Sequence, residues 1–192
     1  MRTLDVIRDE VKSCTKCGLH ATRTNTVFSR GNPEASLCIV GEAPGEDEDL
    51  QALPFVGRSG KLLDETISKL GLDPAKDIYV CNIVKCRPPG NRKPTEEEVN
   101  FCIDFLDEQL KLVHPKVIVA LGNTAVSNLV PVDYGITKIH GKFFKRNGTF
   151  VMPAYHPSYV LRNGGSGPVY EDFKKDLETA INKTREQTNV QQ

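Results

Sequence analysis

Six cysteines stand in this 192-residue chain, and four of them are spaced for metal chemistry. Cys14 and Cys17 form a CxxC, while Cys86 and Cys102 sit at the two ends of a proline-rich loop and its following helix. Two separated pairs of thiolates supply the soft sulfur donors that a tetrahedral zinc ion or a four-iron cluster requires. Spacing alone does not choose between them. A zinc ribbon would more often repeat CxxC in its second half, which tilts the reading toward iron–sulfur. Cys38 and Cys81 lie inside apolar runs, where cysteine is usually a small core residue.

A second constellation surrounds Gly41-Glu42-Ala43-Pro44-Gly45-Glu46-Asp47-Glu48-Asp49, an acidic Gly/Pro stretch behind the apolar run Leu37-Cys38-Ile39-Val40. A buried strand followed by such a stretch places the loop at the strand's carboxyl end, where open α/β sheets bind ligands. The loop runs through Phe55 to Ser59, the expected N-cap of a helix carrying Leu62, Leu63, Ile67 and Leu70 and stopping at Gly71. Asn82 falls near the end of another apolar run, residues 78–84, so its amide faces the first loop. His156-Pro157-Ser158-Tyr159-Val160-Leu161-Arg162 closes a further apolar segment.

The elements that must hold these residues can be read from periodicity. Leu4, Ile7 and Val11 fall at helical spacing and deliver the chain to the CxxC, and residues 18–35 are polar and irregular. Residues 117–121 form a third buried strand, followed by a loop-to-helix turn at Gly122-Asn123-Thr124. Thr95-Glu96-Glu97-Glu98 is a capping box before a helix with Val99, Ile103, Leu106, Leu110 and Val113 on one face. Residues 138–154 read as a hairpin turning at Asn147-Gly148, its second arm being a fourth core strand. Strands alternating with helices predict a mostly parallel sheet covered on both faces.

Composition sets bounds. The length fits one domain, taken as residues 1–183, with a polar disordered tail at 184–192. Lysine plus arginine and aspartate plus glutamate both number 25, so nucleic-acid contact must come from local patches such as residues 87–93. No apolar run approaches the ~18 residues of a membrane span, and the first residues lack a signal-peptide core. The expectation is a cytoplasmic monomer with reduced cysteines.

Together these stretches resemble the family 4 uracil-DNA glycosylases, the iron–sulfur type. The resemblance rests on the CxxC, Gly41-Glu-Ala-Pro-Gly45, Pro54-Phe-Val-Gly57, Asn82-Ile-Val-Lys-Cys86-Arg-Pro-Pro89, Cys102 and His156-Pro-Ser-Tyr-Val-Leu-Arg162. It implies a three-layer α/β/α fold with a central four-stranded, mostly parallel sheet. It implies a structural [4Fe-4S] cluster on Cys14, Cys17, Cys86 and Cys102, and hydrolysis of the uracil N-glycosidic bond in single- and double-stranded DNA. The base would be flipped into a pocket. There Phe55 would stack on the ring, Asn82 would read N3–H and O4, and His156 would stabilise the departing anion at O2.

Glu42 would position water or stabilise a cation-like sugar, with Ala43 beside it on the uracil-binding loop. Glu48 would block the 5-methyl group of thymine. Arg87, Arg92, Lys93, Ser158 and Arg162 would touch the DNA backbone, and Leu161 would wedge into the stack. Two other readings compete. A glycosylase class that links covalently to its product uses a histidine in the basic loop, and residues 87–93 contain none. A non-enzymatic iron–sulfur or zinc DNA-binding module accounts for the cysteines but leaves Phe55, Asn82 and His156 unexplained.

Overall fold

β-Branched and small apolar residues in uninterrupted runs build the centre of the molecule, as a strand with no polar face demands cover on both sides. A computed structural model describes residues 2–131 and 134–189. Helix α1, Leu4–Ser13, is capped by the Thr3 hydroxyl, which accepts from the Val6 N–H, and turns Ile7 and Val11 inward. After the CxxC come strand β1, Arg30–Gly31, and strand β2, Leu37–Gly41. Two helices follow, α2 at Glu46–Gln51 and α3 at Arg58–Lys69. Strand β3 is Ile78–Asn82 and helix α4 is Glu96–Val113. Strand β4, Val117–Leu121, runs directly into α5, Gly122–Leu129, and a short α6 covers Ile136–Ile139. Strands β5, Phe144–Arg146, and β6, Thr149–Ala154, lead to α7, Pro157–Arg162, and α8, Pro168–Asn189.

The described strands form one sheet in the order β1-β3-β2-β4-β6-β5. This corrects the expected four strands to six. The inner four run parallel, and a short antiparallel strand closes each edge. β1 was missed because its two residues are too few to set up an alternation, whereas β5 is the first arm of the expected hairpin, outside the four strands counted as the core. Every residue of β2, β3 and β4 is buried, so helices and loops cover both faces. Each fully buried aliphatic side chain there contributes roughly 1.5–3 kcal/mol relative to exposure. Asn147 and Gly148 both have positive φ, 48° and 86°, the turn geometry that matches the twist of a two-residue hairpin. The expected hairpin is shorter than its range: residues 138 and 139 belong to α6, and 140–143 form the turn that leads into β5.

Two local expectations change. Helix α3 is capped by Gly57 rather than Ser59, because the Gly57 N–H is held by the Glu48 carboxylate at 2.9 Å, which fixes the turn two residues earlier. Helix α8 continues through residues 184–189 of the expected disordered tail, while 190–192 lie outside the described residues. The Thr95 capping box forms as expected, with Glu98 N–H donating to Thr95 Oγ1 and Thr95 N–H donating to Glu98 Oε2. A satellite core of Ile7, Val11, Phe28 and Phe105 packs under α1, with Cys14 and Cys102 against it. Among the described residues no helix is long and apolar enough to cross a membrane.

Candidate active site and cysteine site

Parallel strands point their carboxyl ends the same way, so the loops after β2, β3, β4 and β6 gather at one end of the sheet. They line a cleft of about 920 Å³. Glu42, Ala43, Glu48, Phe55, Asn82 and His156 all border it, as do Arg92, Lys93, Ser158 and Arg162. Arg87 and Leu161 do not.

Asn82, the last residue of β3, is 1% exposed, and both its Oδ1 and its Nδ2 are buried without a hydrogen-bond partner. Leaving such a group unpaired costs about 1–3 kcal/mol, a cost that a polar partner meeting both atoms would remove. Phe55 lies beside it in the left-handed region, φ 55°, at a cost of roughly 1–2 kcal/mol. Two glycines permit this approach. A Cβ on Gly41 would meet Asn82 Oδ1 at 2.5 Å and the Phe55 ring at 2.6 Å, and one on Gly60 would collide with the Phe55 carbonyl. The Phe55 ring stands 5.6 Å from the His156 ring, tilted by 32°.

His156 caps α7. Its Nδ1 accepts from the Ser158 N–H at 3.1 Å and lies 2.8 Å from Ser158 Oγ. A backbone N–H can only donate, so Nδ1 is bare and the ring proton sits on Nε2. Burial, aided by the charge of Arg162, lowers the imidazole to about 4, which keeps it neutral at physiological pH. Nitrogen NMR should therefore report the Nε2–H tautomer of His156, with protonation setting in only as pH falls toward 4. Titration near the ordinary value of 6.5, or an Nδ1–H tautomer, would contradict this assignment.

The acidic loop is held by its own carboxylates. Glu48 Oε1 accepts from the Val56 and Gly57 N–H groups, each at 2.9 Å, and Oε2 accepts from Gly45 N–H at 3.1 Å. Glu42 Oε2 accepts from Thr124 Oγ1, at the start of α5. Asp49, 2% exposed, takes the Thr24 and Asn25 N–H groups and so ties the segment after the CxxC to α2.

The cations are less uniform than the sequence suggested. Arg92 forms a two-pronged pair with Glu98, at 2.8 and 2.7 Å, so much of its charge is already matched. Arg87 donates to Asn91 and lies 3.8 Å from Glu46. Ser158 is engaged with His156, and Leu161 is half-buried in α7. Lys93 and Arg162 are exposed on the cleft, and none of the described carboxylates pairs with them. Arg58, unremarked in the sequence, joins them at the first turn of α3. Thr124 was also missed, although its place behind the carboxyl end of a strand was the available signal.

On the other side of Asn82, Cys14, Cys17, Cys86 and Cys102 line one cavity, brought there from the end of α1, the loop after β3 and helix α4. The Lys85 N–H donates to Cys102 Sγ and Arg23 Nη1 to Cys86 Sγ, both at 3.3 Å. Burial raises both thiols, Cys102 to about 11, so a bound metal must displace their protons. Among the described residues no three Cys, His, Asp or Glu side chains are gathered tightly enough to grip a single ion. Four cysteines lining one cavity, with N–H donors on two of their sulfurs, supply the soft thiolate set that a metal centre takes.

Residues 28–183 match the model of the uracil DNA glycosylase superfamily. The chain is 47% identical over 177 residues to a type-4 uracil-DNA glycosylase of Thermotoga maritima, covering 90% of this chain and 92% of the relative. Identity to the type-4 enzyme of Archaeoglobus fulgidus is 46% over 184 residues, covering 91% and 92%. A type-5 uracil-DNA glycosylase of Pyrobaculum aerophilum is 39% identical over 139 residues, covering 71% of this chain and 60% of the relative.

Proposed function

Because the chain belongs to the uracil DNA glycosylase superfamily, within its type-4 branch, we propose that the cleft takes a flipped uracil and that the cysteine cavity holds a [4Fe-4S] cluster. The protein is a DNA-repair glycosylase that hydrolyses the N-glycosidic bond of uracil. The observation that carries the pocket assignment is the unpartnered Asn82 amide. Its Oδ1 accepts uracil N3–H and its Nδ2 donates to O4, whereas cytosine offers the opposite polarity at both positions. A pocket whose polar groups would be left unpaired rejects the wrong base by up to ~10⁴–10⁵.

The reaction follows from the charges these residues carry. As the C1′–N1 bond breaks, its electron pair leaves with the base, and the charge spreads to O2. The neutral His156 donates Nε2–H to that oxygen, a preorganised dipole that needs no proton transfer. Phe55 covers the ring face. Glu42, with one oxygen fixed by Thr124, has the other free to stabilise the sugar cation and accept a proton from the attacking water. Glu48, held by three N–H groups, is a rigid wall against a 5-methyl substituent. The cluster supplies structure: its four ligands pin the loop after β3, with Arg87 to Lys93, against α1 and α4.

Lys93, Arg162 and Arg58 form the rim that meets phosphate, Arg92 serving through its pairing with Glu98. The test is incubation with uracil-containing and matched thymine-containing oligonucleotides, scored for alkali-labile abasic sites. Uracil strands alone should be cleaved, and binding should weaken steeply with salt. Lys93→Glu should lower affinity for both oligonucleotides alike and flatten the salt slope by about 1. Uracil strands that still resist alkali after prolonged incubation would end the reading.

A further inference from the structure

Lys85 is a fully buried lysine, 1% exposed, with no described carboxylate paired to it. Its ammonium donates to the backbone carbonyl of Asn82 at 2.7 Å. Its own N–H donates to Cys102 Sγ, its carbonyl accepts from Val27 N–H at 2.8 Å, and the next residue is Cys86. The Phe28 ring lies 5.9 Å from Nζ. One residue thus touches a cysteine of the cavity through its backbone and the base-reading residue through its side chain. A buried cation without an anion is costly, and removing a counter-ion is worse than never having had one. Lys85 lines the cysteine cavity, its charge acts on Cys102 there and on the buried thiols Cys38 and Cys81 of the neighbouring strands, and Arg23 approaches the same cavity at Cys86.

We propose that Lys85 is a positioning residue that couples the cysteine-held group to the uracil pocket. With Arg23 it balances a doubly anionic thiolate-ligated cluster, and it fixes the end of β3 from which the Asn82 amide projects. The inference rests on the cluster reading above and goes beyond it. It explains how a cluster that takes no part in the bond cleavage acts on base recognition: the ammonium that the cluster's charge retains in the core is the one that orients Asn82. Loss of the group leaves Lys85 buried without a counter-ion, and its departure from the core frees the Asn82 backbone.

Lys85→Met and Lys85→Gln separate the two parts, since methionine removes charge and donor while glutamine removes charge and keeps a donor. Lys111→Met is the control, because Lys111 is an exposed lysine in the last turn of α4, outside the lining of both the cysteine cavity and the cleft. Anaerobically purified proteins are compared by iron content, bleaching of visible absorbance by a ferrous chelator, cluster midpoint potential and uracil excision. Changes in such outer partners typically cost 10–100-fold. Both Lys85 variants should therefore bleach at least about 10-fold faster than the unmodified protein and show a more negative potential, since a nearby positive charge favours the reduced state. Lys85→Met should also lose about 10–100-fold in excision, with Lys85→Gln less affected, and Lys111→Met should match the unmodified protein in every measurement. If Lys85→Met does not fold, Lys85→Gln decides on bleaching and potential. Iron-loaded unmodified protein with Lys85 variants of equal chelator resistance and potential overturns this inference while leaving the cluster reading intact. Iron-free, fully active unmodified protein ends both.

Discussion

Replacing Asn82 with aspartate is expected to lower uracil excision by about three orders of magnitude or more. The volume hardly changes, so the loss comes from polarity. Asparagine presents one acceptor and two donors in a site where neither atom has another partner. An ionised aspartate presents two acceptors, one of which faces the O4 of uracil, and the repulsion is unscreened in a pocket where the side chain is 1% exposed. Cytosine's amine could donate to the same oxygen, and a protonated carboxyl could also donate to its N3, so weak cytosine excision should emerge as the pH is lowered. Binding to an abasic product should be little changed, because no base is left to be read. Single-turnover kinetics on uracil- and cytosine-containing single strands decide the matter. Wild-type rates on uracil would remove Asn82 from the pocket.

Replacing Cys102 with alanine should abolish iron binding and cost the protein most of its thermal stability around α1. Cys102 sits on α4, and it packs together with Cys14 beside the satellite core of Ile7, Val11, Phe28 and Phe105. A missing ligand would release α1, the CxxC and the loop after β3 together, because metal-binding free energy is folding free energy in a small site of this kind. Visible absorbance and iron content of anaerobically purified protein should both vanish. Cys38→Ala should keep them, since Cys38 is buried in β2 away from the cavity lining and costs only a small core void. Stoichiometric zinc in place of iron in the unmodified protein would overturn the cluster assignment.

The parts legible in the sequence were those fixed by short-range pattern. The apolar runs of β2, β3 and β4, the Thr95 capping box and the Asn147-Gly148 turn are each decided within a few residues. Their chain order then places Glu42, Asn82 and His156 at one end of the sheet. What escaped is set by distance. Thr124 meets Glu42 across 82 residues of sequence, so its place behind a strand's carboxyl end marks it as near the site but does not reveal that partner. Arg92 looked like a free cation because its type is basic; that it is matched by Glu98 depends on the loop folding back over the first turn of α4. The same limit applies to Glu48, expected as a block to a 5-methyl group: the three backbone N–H partners that also make it the clasp of two loops depend on the folded chain and do not show in the sequence. Phe55's left-handed backbone was equally invisible, since its cost is balanced by glycines 14 positions before it and five after it, at 41 and 60.

The two short strands at the sheet's margins carry a colloidal consequence. A parallel sheet of four strands would expose, on either side, a row of unpaired N–H and C=O groups able to recruit the edge of another molecule. Here β1 occupies one margin with two residues and β5 the other with three, Lys145 and Arg146 among them. Strands this brief offer a docking molecule few hydrogen bonds, and Lys145 places a charge on the β5 edge, Arg146 being paired with Asp107. Edges of this length disfavour the edge-to-edge pairing through which sheets grow from one molecule into the next.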